Sequence, residues 1–296
     1  MFEKNILQGQ SGIITGGSSG IGLAIAEYLI GHGAQVTITG RNEEKLEKAV
    51  AELGDSAIGA CGDVRKSDEI AKSIDKHLEK YGKIDFLINN AAGNFLCPLE
   101  NMTENGFQSV NDIVCMGTFL WCRAVQPHMK KQKYGRIINT GTAYAFGHGA
   151  RVAHSGAAKA AVLNLTKTMA VEWGPQGILS NMIAPGPVEG TEGVKRLMGD
   201  PKAQKMMTPF LPVARMAKGW EIGAICTFLL SPLATYINGT VIPVDGGQHL
   251  TNPGLIPPHI PVGGLNFYQR LRSLCKTFGI DPKIIGSLFK PFLPKN

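Results

Sequence analysis

Apolar, strand-like runs alternate with helical patterns along almost the whole chain, and no other feature narrows the possible folds as much. The runs fall at residues 12–15, 35–39, 57–61, 84–88, 136–139, 178–183 and 240–244. Helical spacing follows them from Gly20, over 43–53 and 67–81, in a long stretch after Thr103, from His154 and over 220–230. Strand and helix in strict alternation require right-handed crossovers and a parallel sheet covered on both faces. The expectation is an α/β chain: a doubly wound parallel sheet in a single domain over 1–250, followed by a C-terminal extension over 251–296. Its 296 residues, 44% hydrophobic and 18% charged, suffice for one large core and show no internal repeat or low-complexity segment.

The formal charge of +7 is unevenly spread. Residues 251–296 hold six Lys/Arg against the single acid Asp281, which leaves 24 bases against 22 acids in 1–250. The basicity belongs to the tail, so the body carries no nucleic-acid footprint. Six cysteines (61, 97, 115, 122, 226 and 275) form no CxxC pair and no metal-spaced cluster with histidine. Inert thiols in a reducing compartment, and no metal, are expected. The first ten residues are too short and polar for a secretion signal, and no apolar run is long enough to span a membrane. The final LPKN is not an SKL-type address, so a cytoplasmic protein is expected.

The first strand-to-helix turn reads Thr15-Gly16-Gly17-Ser18-Ser19-Gly20-Ile21-Gly22. Gly16 permits a tight turn, Gly20 lets backbone approach a pyrophosphate at the helix start, and Gly22 lets helix pack on strand. A dinucleotide cofactor is expected. The second strand ends Thr39-Gly40-Arg41, without the acid that suits NAD(H). Gly40 leaves room and Arg41 offers a fork for a 2′-phosphate, which favours NADP(H); pairing with Glu43 or Glu44 on the surface is its other use. Asp63 closes the third strand, where a carboxylate accepts from an adenine amino group or serves as a cap for the helix from Ser67.

The run Asn89-Asn90-Ala91-Ala92-Gly93-Asn94 puts small residues at the carboxyl end of the fourth strand, where open α/β sheets bind ligands. Asn94 is placed to donate its amide to a carbonyl oxygen or to serve a turn. After the fifth strand, Ser155 and Lys159 are one helical turn apart, and Tyr144 precedes them on a loop from which a phenol can reach the same point. A phenol, a hydroxyl and an ammonium together make a proton-donating site.

TGGSSGIG (15–22), NNAAG (89–93), the Lys159 helix and APGP (184–187) resemble the motifs of the short-chain dehydrogenase/reductase family, over residues 8–250. The chain departs from the family in two places. The tyrosine of its YxxxK is Ser155 here, beside His154, and its asparagine three before Gly117 is Val114. AAGNFLCP (91–98), DIV…GTF (112–119), TAYA (142–145), AVEWG (170–174) and APGPVEGTEG (184–193) look like the 2,4-dienoyl-CoA reductase branch. In mitochondrial-type members of that branch the tyrosine has moved to the loop. The resemblance implies a Rossmann-type fold, a homotetramer and an acyl-CoA thioester substrate. It implies Tyr144, Asn94, Lys159 and Ser155 as the catalytic set. The implied cofactor contacts are Gly16, Gly17, Ser18, Ser19, Gly20, Ile21, Gly22, Arg41, Asp63, Asn90, Lys159, Pro185, Gly186, Pro187 and Val188. Arg65, Asn94, Phe95, Leu96 and Arg196 are the implied substrate contacts.

The implied reaction is reduction of a 2,4-dienoyl-CoA to a 3-enoyl-CoA by NADPH. Hydride addition at the distal carbon leaves charge on the thioester oxygen, where Asn94 and the Tyr144 hydroxyl would each contribute about 2–4 kcal/mol. Either Tyr144 or a water it holds then protonates the α carbon. A delocalised dienolate separates oxygen from reacting carbon, which gives a reason for moving the phenol from helix to loop. Lys159 would bond the nicotinamide ribose, and Ser155 would orient nicotinamide or Lys159. The rivals are a trans-2-enoyl-CoA reductase, a 3-oxoacyl or hydroxy dehydrogenase, and an NADP-binding docked protein without turnover, which Val114 supports best. Residues 186–212 read as a mobile lid, with Met198, Met206 and Met207 as candidates for an acyl pocket or for core packing. In the tail, Phe267, Leu271, Leu274 and Phe278 share one helical face, suited to a membrane surface, a neighbouring subunit or steering of acyl-CoA. Docking within the protein's own oligomer is the expectation.

Overall fold

The structure, a computed structural model, describes residues 3–199 and 201–251. In chain order the elements are β1 (Ser11–Thr15), α1 (Gly20–Ile30), β2 (Gln35–Gly40), α2 (Glu43–Leu53), β3 (Ala57–Cys61), α3 (Ser67–Tyr81) and β4 (Phe86–Asn89). Then come α4 (Glu104–Asn111), α5 (Gly117–Gln132), β5 (Gly135–Thr140), α6 (Ala153–Trp173), β6 (Ile178–Pro185), α7 (Glu192–Met198), α8 (Pro201–Met207), α9 (Gly219–Leu230) and β7 (Val241–Val244). The strands form one parallel sheet in the order β3-β2-β1-β4-β5-β6-β7.

Adjacent residues of a strand point to opposite faces, and β1 shows how both faces become buried. Ile14 packs with Leu29 of α1, Leu46 of α2 and Ile222 and Leu230 of α9. Its neighbour Ile13 packs with Ile74 of α3 and with Trp121 and Val125 of α5. Each such fully buried side chain contributes about 1.5–3 kcal/mol, so two layers of helix are held by one continuous apolar strand. The strand order reverses between β1 and β4, which opens a crevice over their carboxyl ends. The Gly-rich turn, the loop after β4 and the loops after β5 and β6 all leave the sheet at that edge.

The expected elements are present, with local differences that have physical causes. β4 begins at Phe86, and Asp85 just before it donates its N–H to the Ser11 carbonyl at 2.7 Å while its carboxylate accepts the Ser11 N–H at 2.8 Å. The long helix after Thr103 is interrupted by a π-helical turn, Asp112–Met116. There the Thr118 hydroxyl donates to the Val114 carbonyl at 2.7 Å, and Val114 itself is fully buried. The 186–212 segment, expected as a lid, contains α7, α8 and a short 3-10 turn, Thr208–Phe210. Val194 of α7 joins Leu211 and Met216 in a small apolar cluster of its own. The side chains of Met198, Met206 and Met207 lie outside the described residues, as does the amphipathic pattern of the tail.

Among the described residues, no helix is long and apolar enough to cross a membrane, and no group of three His, Cys, Asp or Glu could hold a metal. The five described cysteines are all free thiols.

Candidate active site

At the end of β1, Gly16 and Gly20 take φ values of +65° and +57°, the left-handed region that side chains disfavour. The turn they make is laced to the loop after β4. Thr15 Oγ1 accepts the N–H groups of Asn90 and Ala91, each at 3.0 Å, and Asn90 Nδ2 donates to the carbonyls of Thr15 and Gly16, each at 3.1 Å. Asn90, expected against the cofactor, thus directs its amide hydrogens at the protein's own backbone. Gly22 meets the same turn. A Cβ there would come within 2.4 Å of the Gly16 carbonyl and 2.6 Å of Asn90 Nδ2, so at this glycine α1 is pressed against the turn and the loop after β4, while its Leu29 packs on β1. Ser19 flanks the helix without a side-chain cap, which leaves the first-turn N–H groups to an anion. These features fit the pyrophosphate of a dinucleotide. Gly17 lies against β2, where a Cβ would meet Ile38 at 2.7 Å, and Ile21 packs at the margin of the main core.

Ser18 closes on the end of β2: its Oγ would sit 3.0 Å from a Cβ on Gly40. Beside it Arg41 is exposed and makes no ion pair with a described carboxylate, so the alternative pairing with Glu43 or Glu44 does not form. Asp63 is engaged within its own loop. Its carboxylate holds Arg65 through Nε at 2.9 Å and Nη2 at 2.5 Å, and accepts the Arg65 backbone N–H at 3.0 Å. That guanidinium holds the Asp63 carboxyl at about 2, below the ordinary carboxylate range. Lys66, not Asp63, flanks α3, and Glu69 accepts the Asp63 N–H at 2.6 Å. Arg65, expected to meet substrate, is therefore latched to its neighbour while staying 39% exposed.

On the other side of the crevice, Pro185 ends β6 and the next residues are pinned to the β7 side. Gly186 N–H donates to the Val244 carbonyl at 3.1 Å, and Ala217 N–H donates to the Pro187 carbonyl at 2.9 Å. Val188 is buried in a bridge to Ala217. Thr191 caps α7 through the Val194 N–H at 3.3 Å, and its Cγ2 would stand 3.7 Å from a Cβ on Gly20. Thr191 thus brings the loop after β6 over the Gly-rich turn, a residue the sequence reading passed over although a Thr-Glu pair at a helix start is a recognisable cap. Arg196 is exposed on α7, with its neighbours Glu192 and Lys195 paired to each other at 3.2 Å.

The proton-donating residues gather around the first turns of α6. Lys159 is buried to 6% exposure and its Nζ donates to the Thr140 carbonyl at the end of β5. Burial lowers its pKa to about 8, so the ammonium form still dominates at neutral pH. Ser155 is buried one turn before it. Tyr144 lies on a 3-10 turn, Ala143–Ala145, with its Cβ 3.6 Å from where a Cβ on Gly156 would be. Burial raises the Tyr144 phenol, which keeps it a neutral donor. Asn94 is half-buried and accepts the Phe95 N–H on its Oδ1 at 2.9 Å, which leaves its amide nitrogen free to donate elsewhere. Phe95 and Leu96 keep 38% and 48% of their surface exposed at the crevice edge. Beneath them Asn89 Nδ2 donates to Asn139 Oδ1 and Asn139 Nδ2 to Thr166 Oγ1, each at 2.9 Å, a buried chain that ties β4 and β5 to α6.

The chain is similar to known proteins over most of its length. A family model described as enoyl-(acyl carrier protein) reductase matches residues 16–249. A Bacillus subtilis (strain 168) protein named probable 2,4-dienoyl-CoA reductase, (2E)-enoyl-CoA-producing, is 47% identical over 81% of this chain and 96% of its own length. The Mus musculus peroxisomal 2,4-dienoyl-CoA reductase, (3E)-enoyl-CoA-producing, is 40% identical over 86% of this chain and 88% of its own. Among solved structures, a short chain dehydrogenase from Bacillus anthracis str. 'Ames Ancestor' superposes with a TM-score of 0.78 at 44% identity, covering 84% of this chain and 99% of that one.

Proposed function

The chain belongs to the short-chain dehydrogenase/reductase family, and from that membership we propose that it reduces 2,4-dienoyl-CoA with NADPH. The observation that carries the reading is the grouping of a buried Lys159, a buried Ser155 and a loop-borne Tyr144 around the start of α6. The other support is Asn94, whose carboxamide is turned by the Phe95 N–H. When bound, the nicotinamide cofactor supplies hydride. The Gly16–Gly22 turn with Gly17, Ser18, Ser19 and Ile21 would hold its pyrophosphate, Arg41 its 2′-phosphate, Asp63 its adenine and Lys159 its ribose. Pro185, Gly186, Pro187 and Val188 would close over its nicotinamide end.

Reduction at the distal carbon of the diene leaves a dienolate whose charge rests on the thioester oxygen. Asn94 Nδ2 and the Tyr144 hydroxyl donate to that oxygen, an interaction that strengthens as charge develops. Protonation then completes the reaction. At the α carbon it gives a 3-enoyl-CoA, and at the γ carbon a 2-enoyl-CoA, so the relatives' two names correspond to two sites of proton delivery. We place the proton at the α carbon, because that atom is the nearer of the two to the oxygen that Tyr144 holds. Arg65, Phe95, Leu96 and Arg196 would contact the acyl-CoA.

NADPH oxidation with 2,4-hexadienoyl-CoA and 2,4-decadienoyl-CoA, with NMR identification of the product, tests the reading. Turnover on dienoyl but not on 2-enoyl thioesters is expected. Equal turnover on trans-2-enoyl-CoA would select the second reading, an enoyl thioester reductase, which the description of the matching family model favours. A homotetramer, a cytosolic location and a division into a catalytic domain (1–250) and an oligomer-docking extension (251–296) complete the proposal. Light scattering of the full chain and of a chain ending at Leu250 tests the oligomer, and cell fractionation tests the location.

A further inference from the structure

His154 sits in the first turn of α6 with no exposed surface, and neither ring nitrogen has a hydrogen-bond partner. Buried nitrogens without partners destabilise a fold, so polarity does not account for the placement of this side chain. What the ring does contact is Phe95: the ring centroids are 4.3 Å apart and the planes inclined at 39°. Phe95 Cζ also reaches α4, where it would stand 3.3 Å from a Cβ on Gly106. The same residue's N–H donates to Asn94 Oδ1 at 2.9 Å. Further along, the Cys97 N–H donates to the Arg151 carbonyl at 2.8 Å, three residues before His154. The loop that carries Asn94 is thus fastened to the start of α6 at two points, one through rings and one through backbone.

We propose that His154 is a positioning residue: its ring face, acting through Phe95, holds the Asn94 carboxamide so that Nδ2 points into the crevice. The inference rests on the reading of Asn94 as a donor to the thioester oxygen, and it concerns the flat ring, not its protonation. His154→Phe keeps a flat ring and removes the nitrogens. His154→Leu keeps apolar bulk and removes the ring, and His154→Met supplies the same comparison should the leucine variant not fold.

The test has two arms. In the cofactor-free protein, hydrogen exchange of the Phe95 amide reports the bond to Asn94 directly; it speeds up about fivefold or more in His154→Leu and stays as in the parent in His154→Phe. In turnover of 2,4-hexadienoyl-CoA, His154→Leu lowers kcat about tenfold with the NADPH KM unchanged, and His154→Phe restores it. Adding Asn94→Ala to His154→Leu lowers kcat no further than Asn94→Ala alone, because both remove one interaction. An unchanged kcat in Asn94→Ala defeats the reading of Asn94, whatever the exchange data show. A low kcat in Asn94→Ala with parental values in His154→Leu, losses that multiply in the double variant, or a His154→Phe as impaired as His154→Leu would each overturn the role of His154.

Discussion

The ring of Tyr144 lies against Gly149, so closely that a Cβ at that glycine would come 2.8 Å from Tyr144 Cδ1 and 2.9 Å from Cγ. Gly149 does not take a positive φ, so its small size serves the packing of the ring and of Val152 and not the turn. Gly149→Ala crowds both the phenol ring and Val152, whose Cγ2 a Cβ would meet at 2.5 Å, and is expected to displace the phenol. A kcat loss of about tenfold is expected, with NADPH affinity unchanged, since displacement of a reacting group by an ångström has consequences of that order. Steady-state kinetics beside a fluorescence titration of NADPH distinguishes this from a general loss of fold.

Arg41 stands exposed beside Ser18 and Gly40 without a described carboxylate partner. If it grips a 2′-phosphate, Arg41→Ala raises the KM for NADPH about 10–100-fold and leaves that for NADH nearly unchanged. Parallel assays with the two cofactors give the ratio. Equal losses would remove Arg41 from the cofactor site.

Lys159 carries a pKa lowered to about 8 by burial, against the ordinary lysine value of 10.5. Between those values the unfolded chain holds a proton that the folded chain has released. The unfavourable contribution of this ammonium is therefore complete below pH 8 and fades as pH rises to 10.5. Lys159→Met should raise the Tm of the cofactor-free protein at pH 7 while abolishing turnover, a trade of stability for function. In the parent enzyme, kcat/KM should fall on the alkaline side with an apparent pKa near 8. Calorimetry and a pH–rate profile check the two halves separately.

His77 provides a structural counterpart. Its Nε2 lies 2.8 Å from the Lys83 carbonyl, which can only accept, so Nδ1 must accept from the Thr37 hydroxyl at 2.7 Å. Burial lowers this imidazole to about 4 from 6.5, so the unfolded chain binds the extra proton in that window. Stability should fall as pH drops from 6.5 to 4, by up to about 3 kcal/mol from this residue. Urea unfolding at several pH values should show a shallower acid slope in His77→Gln.

The alternation of apolar runs made the sheet legible, because strands buried on both faces need continuous apolar residues whatever their partners. The Gly-rich turn was equally open, since Gly16 and Gly20 are there for φ values that the residue type announces. What could not be read were contacts that only the folded loops and the packing of strands create. Asn90 carries an amide that suits a cofactor as well as a carbonyl, and only the spacing of β1 and β4 turns it toward Thr15 and Gly16. The Asp63–Arg65 latch depends on a loop conformation that two charges separated by Val64 do not specify. Helices α7 and α8 hid in a stretch whose Gly and Pro content suggested a lid. The π turn at Asp112–Met116 lies inside a stretch that reads as one continuous helix. The rings of His154 and Phe95 meet although they lie 59 positions apart in the chain, and nothing local in either segment signals the other.

Single-turnover oxidation of NADPH by 2,4-hexadienoyl-CoA, followed in the parent, Tyr144→Phe and Asn94→Ala, measures the step in which the thioester oxygen takes its charge. Loss of one such donor should slow that step at least about tenfold in each variant, with acyl-CoA binding little changed. Parental rates in both variants would contradict the assignment of the thioester oxygen to these two side chains.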